Sequence, residues 1–162
     1  RKREELKNSR RKEMIGFRRI DPEVAMEKNT WFHLGRNSCE EILYCLRRIA
    51  DPCEEHVDNN FVPLSKEQVK EYIPLRDTVL FLLRRTEKIL QTDSYDEVDD
   101  VRREAEELKD CLEKAREAQM QRMQSSKENI TVAYLYLNLL QETRELTSSL
   151  RHLLRASKGF RE

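Results

Sequence analysis

The sequence predicts an all-α protein: an antiparallel up-down bundle of four long helices, with a short N-terminal helix before it. Three observations predict it. Between Leu75 and Lys158 there is no glycine and no proline, and these are the main local breakers of helices. Apolar residues recur at spacings of three and four in four successive stretches, the period of a single helix face. The connections between those stretches are short and polar, so neighbouring helices fold back on one another. No stretch alternates with the period of a strand, and no segment repeats.

Each element has its own local signal. Ile20-Asp21-Pro22-Glu23 reads as a helix start, with Asp21 as cap and Pro22 in the first turn. A short helix through about Lys28 follows. The first long helix is expected over 30–59, with Ile42, Leu46, Ile49, Cys53 and Val57 on one face and Trp31, Leu34 and Ser38 extending it backward. Gly35 inside it costs roughly 1 kcal/mol relative to Ala, which suits close approach of another helix. Pro52 is placed to kink it, and the run Asn59-Asn60-Phe61-Val62-Pro63 ends it.

Ser65-Lys66-Glu67-Gln68 resembles a capping box. The second helix then runs to about Gln91, with Val69, Tyr72, Ile73, Val79, Leu80, Leu83, Thr86 and Leu90 as its stripe and Pro74 bending its start. The third is expected over 95–124, with Val98, Val101, Ala105, Leu108, Leu112 and Ala115 inward. Ser125 and Ser126 mark a turn. The fourth runs over 127–156, with Ala133, Leu137, Leu140, Thr143, Leu150 and Leu154 inward, and Gly159 closes it. The organisation is therefore a charged lead-in over 1–29, a bundle over 30–158 and a tail over 159–162.

Composition bounds the function. The chain has 162 residues, a single-domain length, with 38% hydrophobic and 38% charged residues. Lys+Arg and Asp+Glu both number 31, so the whole molecule has no general pull toward nucleic acid or membrane. The charge is uneven locally. Residues 1–19 carry nine Lys/Arg against three Glu, and residues 93–117 carry eleven Asp/Glu against five Lys/Arg. No apolar run approaches the roughly 20 residues that cross a bilayer, and no secretory signal is present. The chain starts at Arg1 and not at Met, as a piece of a longer protein would. Cys39, Cys45, Cys53 and Cys111 form no CxxC pair, and the first three share one predicted helix at spacings of six and eight residues. Such spacings are too long for a disulfide, which points to reduced thiols in a cytosolic protein.

The motifs that carry chemistry are sparse. Glu54/Asp58, Asp96/Asp100 and Glu106/Asp110 are carboxylate pairs four apart. Residues four apart share a helix face, so each pair could clamp a hard cation, with waters completing its shell. The competing reading is a solvated acidic face, since helical metal sites need side chains converging from several helices. Cys53 and His56 stand one turn apart, as zinc would accept, but no second ligand pair is suitably spaced. There is no GxSxG, HExxH or P-loop, and a backbone phosphate cradle needs glycine that this chain lacks. The reading is therefore not an enzyme. The basic start suits a solvated tail, a nucleic-acid contact or a segment just cytoplasmic of a membrane helix; few aromatics are interleaved with it, so nucleic acid is not a predicted partner. Tyr134 and Leu135, with Trp31 and Phe32, are candidates for a partner or dimer surface.

The segments Arg19-Ile20-Asp21-Pro22 through Glu27-Lys28-Asn29-Thr30-Trp31-Phe32-His33-Leu34-Gly35, Cys53-Glu54-Glu55-His56-Val57-Asp58-Asn59-Asn60-Phe61, and Arg151-His152-Leu153-Leu154-Arg155-Ala156-Ser157 resemble the PhoU-like domain at the cytoplasmic C-terminus of bacterial inorganic phosphate transporters. The resemblance covers nearly the whole chain. It implies a non-catalytic regulatory bundle at the cytoplasmic face of the inner membrane. Its implied partners are the transmembrane permease portion of the same polypeptide and a second copy in a homodimer. It also places the basic start just after the last transmembrane helix. PhoU proteins bind iron or other metals through (Glu/Asp)-x-x-x-Asp motifs, and the three carboxylate pairs above match that pattern. The last helix departs from it: Glu142-Thr143-Arg144-Glu145-Leu146 has no Asp at the final position. The alternative reading is a structural or scaffolding bundle with no link to phosphate.

Overall fold

The computed structural model describes residues 21–162 together with Lys2, Glu4, Glu5 and Asn8. Apart from those four positions, the basic start of the chain lies outside the described residues. Among the described residues the protein is all helix: α1 (Pro22–Asp58), α2 (Lys66–Thr92), α3 (Val98–Ser125) and α4 (Ile130–Arg161).

The caps explain most of the boundaries. Asp21 accepts a hydrogen bond from the Glu23 N–H at 3.0 Å, ahead of Pro22. The break expected after Lys28 is absent, so the division between 29 and 30 falls inside α1. No breaker stands there, and the Thr30 hydroxyl donates to the Met26 carbonyl at 3.0 Å, leaving the backbone turn intact. α1 also continues through Pro52, as α2 does through Pro74. The capping box at Ser65 forms in full: the Gln68 N–H donates to Ser65 Oγ at 3.1 Å, and the Ser65 N–H donates to Gln68 Oε1 at 2.9 Å.

Two starts differ from expectation. α3 begins at Val98 and not at Tyr95. Asp93 closes α2 in the left-handed region at φ 56, and Tyr95 is drawn under the Arg161 guanidinium, 5.4 Å from its ring centroid. α4 begins at Ile130 because Asn129, not Lys127, has a side chain that can cap: it accepts from the Val132 N–H at 3.1 Å. The last helix also runs through Gly159 to Arg161, so 159–162 is no separate tail.

α4 is the hub. It packs on α1, α2 and α3, most extensively on α1, and α2 also packs on α3. Partner numbers on α1 and α4 run in opposite senses: Lys28 Nζ donates to the Phe160 carbonyl, and Arg48 Nε bonds Glu142 Oε2. The same holds for α2 and α3, where Gln68 meets Gln119 and Arg85 meets Glu104. α1 and α2, however, have no Cα atoms within 8 Å of each other. They leave a cleft of about 760 Å³ lined by Leu150 and Leu153 of α4, Ile42 and Leu43 of α1, and Leu83 and Leu90 of α2, with Lys2 and Glu5 from the start of the chain also against it.

This arrangement corrects two of the predicted stripes. The third is inward as expected, with Val98, Val101, Ala105, Leu108, Leu112 and Ala115 all buried. On α1 the buried positions are Arg36, Ser38, Cys45 and His56, while Leu34, Leu46 and Val57 are exposed. On α2, Val79 and Thr86 are buried, together with Gln68, Leu82 and Ile89, while Val69, Ile73, Leu80 and Leu90 are exposed. Both helices are apolar on more than one face, and only the face toward α4 or α3 is covered. α4 buries beyond its predicted stripe, adding Val132, Tyr136, Leu139, Leu146 and Leu153, because three helices surround it.

Candidate functional site

The described residues concentrate polar chemistry at the end of the bundle where α2 starts, α3 ends and α4 starts. Gln119 is fully buried. Its amide oxygen accepts from Gln68 Nε2 at 3.1 Å and from Arg122 Nη2 at 2.7 Å, and its Nε2 donates to Glu128 Oε2 at 2.6 Å. Arg122 Nη2 also reaches Glu71 Oε1 at 3.1 Å, and the Tyr136 hydroxyl donates to that same oxygen at 2.5 Å. Burial pushes the Tyr136 phenol well above its ordinary range, and the acceptor carboxylate of Glu71 adds to the shift. One turn further along, the Tyr72 hydroxyl lies 2.8 Å from Thr143 Oγ1. Every member has a partner, so the cluster fixes how three helix ends meet. It offers no unengaged base or nucleophile.

A second polar group crosses from α1 to α4. Arg48 binds Glu142 at 2.9 Å and Glu41 at 2.8 Å, and its Nη2 lies 3.5 Å from Cys45 Sγ. Burial, reinforced by Glu41, pushes the Cys45 thiol up to about 12. The four cysteines are free, and Cys45 stays a thiol across the physiological range. It is a packed group and not a nucleophile.

The carboxylate pairs predicted for metal are not brought together. Glu54 and Asp58 are exposed on α1, Asp96 is exposed in the turn before α3, and Asp100, Glu106 and Asp110 are exposed along α3. Because α3 starts at Val98, Asp96 and Asp100 do not share one helix. Asp100 pairs with Arg103 at 3.2 Å, and Glu106 pairs with Arg151 of α4. Among the described residues no group of three or more His, Cys, Asp or Glu is placed to hold a metal ion. His56 is occupied otherwise: its Nε2 stands 2.6 Å from the Val62 carbonyl, and its ring meets Phe61 edge-on at 5.3 Å. A carbonyl only accepts, so Nε2 carries the proton there. His56 pins the α1–α2 connection to the end of α1.

The four aromatic and apolar residues proposed as one partner surface divide between opposite ends of the bundle. Tyr134 and Leu135 border a cavity with Pro52, His56 and Phe61. Trp31 and Phe32 border another with Tyr95 and Phe160. In that second cavity Arg36 is buried to 5% exposure, which periodicity gave no reason to expect. Gln119 had a readable signal: it continues the Leu108, Leu112, Ala115 series by one more step of four. The feature that neither spacing nor composition announced is the cleft between α1 and α2. Comparison with protein-family models, curated proteins and solved structures finds no match to this chain.

Proposed function

We propose that this chain is a non-catalytic regulatory bundle of an inorganic phosphate transporter, acting at the cytoplasmic face of the inner membrane by helix-mediated contact. The observation that carries the contact is the cleft. Ile42 and Leu43 of α1 and Leu83 and Leu90 of α2 line it, together with Lys2 and Glu5 from the start of the chain, and Leu46, Ile73, Leu80 and Phe81 are further exposed apolar residues on the same two helices. A groove lined in large part by apolar side chains is the kind of surface that takes a partner. The link to phosphate rests on the sequence resemblance. No helix among the described residues is long and apolar enough to cross a membrane, so the permease would be a separate portion of the polypeptide.

The test is phosphate uptake in cells whose transporter lacks only this segment, measured in phosphate-rich and phosphate-poor medium. Altered uptake, or altered control of it, is the expected result. Unchanged uptake and unchanged control would remove the proposal. The scaffolding alternative draws on the same cleft, and it predicts a soluble or coiled-coil region in the coding sequence upstream, where the transporter reading predicts several membrane spans.

A further inference from the structure

The cleft between α1 and α2 is bordered by more than the bundle. Lys2 and Glu5, from the start of the chain, also line it. Lys2, Glu4, Glu5 and Asn8 are all helical, and all stay exposed, as rim charges do. Lys2 and Glu5 are three apart, so they share one side of a helical turn, and that side is the one against the cleft. Leu6 is the only apolar residue in 1–8. Its spacing, four after Lys2, assigns it to the same side.

Character, charge and reach all fit this segment to the cleft. Among the described residues, the four helices contribute a largely aliphatic lining that includes Ile42, Leu43, Leu83 and Leu90, and a single charge, Glu87. Residues 1–8 carry four Lys/Arg against two Glu, the complementary sign. From Asp21, the cleft residues Cys39 to Leu43 lie roughly 27–33 Å along α1 at the helical rise. The twelve residues between Asn8 and Asp21 span at most about 40 Å, enough to return along α1. A tethered segment also binds at a high effective concentration, on the order of millimolar for short linkers, which favours the chain's own start over a second copy. We infer that the α1–α2 cleft is the docking site of residues 1–8 of the same chain, with Leu6 among its aliphatic side chains, and that an outside partner reaches the cleft only by displacing them. The displacement rests on the cleft being the contact of the proposed function. The docking itself uses neither the resemblance nor phosphate.

The test uses the full chain with isotope-labelled Ile, Leu and Val methyl groups. A nitroxide is attached at Asn8→Cys in a Cys111→Ser background, because Cys111 is the exposed native cysteine. The background chain treated alike corrects for labelling of the other three. The Ile42, Leu43, Leu83 and Leu90 methyl signals should lose most of their intensity and regain it when the nitroxide is reduced. Val132, at the opposite end of α4 from Leu150 and Leu153, should keep its own. Leu6→Asp should restore most of the lost intensity and raise the fluorescence of added anilinonaphthalene sulfonate several-fold. Undiminished cleft signals, an equal loss at Val132, or an unaltered pattern in Leu6→Asp would each overturn the inference. So would losses in a methyl-labelled chain that carries no nitroxide when it is mixed with a nitroxide-bearing one, since the docked segment would then come from a second copy. None of these readouts involves phosphate uptake, so the docking and the transporter reading fail separately.

Discussion

The indole of Trp31 lies on Gly159: a Cβ built at that glycine would stand 2.5 Å from the ring's Cδ2 and 2.6 Å from its Cε2. The sequence suggests a helix stop at Gly159, yet the helix passes through. The missing side chain makes room for α1 against the end of α4. Gly35 is different. Its Cβ would meet Ala156 at 3.5 Å and Leu153 at 3.9 Å, which is ordinary contact.

The two glycines therefore predict opposite outcomes for the same change. Gly35→Ala should stabilise by about 0.5–1 kcal/mol through helix propensity. Gly159→Ala gains the same propensity but displaces an indole, at a cost of about 1–3 kcal/mol, so the net effect is destabilising. Urea melts followed by circular dichroism would separate them, and Trp31 emission should shift to the red in Gly159→Ala only. A stabilised Gly159→Ala with unmoved emission would refute the packing.

The Gln119 cluster should be unequal in its sensitivity. Tyr136→Phe removes one hydrogen bond to Glu71, which keeps Arg122, and should cost about 1–2 kcal/mol. Gln119→Leu strips Gln68 and Glu128 of their shared partner and leaves buried polar atoms unpaired. A loss of about 2–4 kcal/mol is expected. Equal losses in the two variants would show that the cluster is not organised around Gln119.

Stability should fall on the alkaline side. The Cys45 thiol is held up to about 12, against about 8.5 in an unfolded chain. Burial likewise raises Cys39 and Cys53, and it raises Tyr136 together with Glu71. A raised folded value means the unfolded state loses its proton first. The contribution is therefore complete below about pH 8.5 and is lost as the pH climbs toward 12. Denaturation midpoints from pH 7 to 11 should decline, less steeply in Cys45→Ala. At pH 8, Cys111 should react first with iodoacetamide and Cys45 last, as read by mass spectrometry of peptides. Early labelling of Cys45 would contradict its placement.

The acidic residues on α3 and in the turn before it should tolerate neutralisation. Asp110→Asn and Asp96→Asn are expected to move stability by no more than about 0.5 kcal/mol, since both residues are exposed. Glu106→Gln removes the pair with Arg151 and should cost somewhat more, within the roughly 1 kcal/mol of a partly exposed ion pair. Divalent manganese or ferrous iron should raise the melting temperature by less than about 1 °C, as the carboxylates do not converge. A larger rise that disappears in Asp110→Asn or Asp96→Asn would restore the metal reading.

What could be read before folding was the local physics. The Asp21 cap, the Ser65 capping box and the inward stripe of α3 each depend on a few adjacent residues, and each forms as expected. The stripes of α1 and α2 were misjudged because periodicity locates apolar residues but not what covers them. Leu46 and Ile73 look like core residues until α1 and α2 are seen to stand apart. Gly159 was misread for a related reason: nothing nearby in the chain announces an indole from 128 positions earlier. Among the candidate site residues, the carboxylate spacings were legible, but their dispersion over two helices and a turn was a tertiary property. Arg36 shows the same limit from the other side, a charge buried by its surroundings.

The position of the hub in chain order has a consequence for synthesis. α4 is the last of these four helices to leave the ribosome, and α1, its principal companion, precedes it by two whole helices. Until α4 emerges, α1 lacks its most extensive packing, because neither α2 nor α3 brings a Cα atom within 8 Å of it. Helices as isolated segments are marginal in water, and apolar surface waiting for distant contacts is exposed to aggregation. The nascent chain thus carries α1 without its main partner until α4 is made, and assembly of the bundle follows the emergence of that helix.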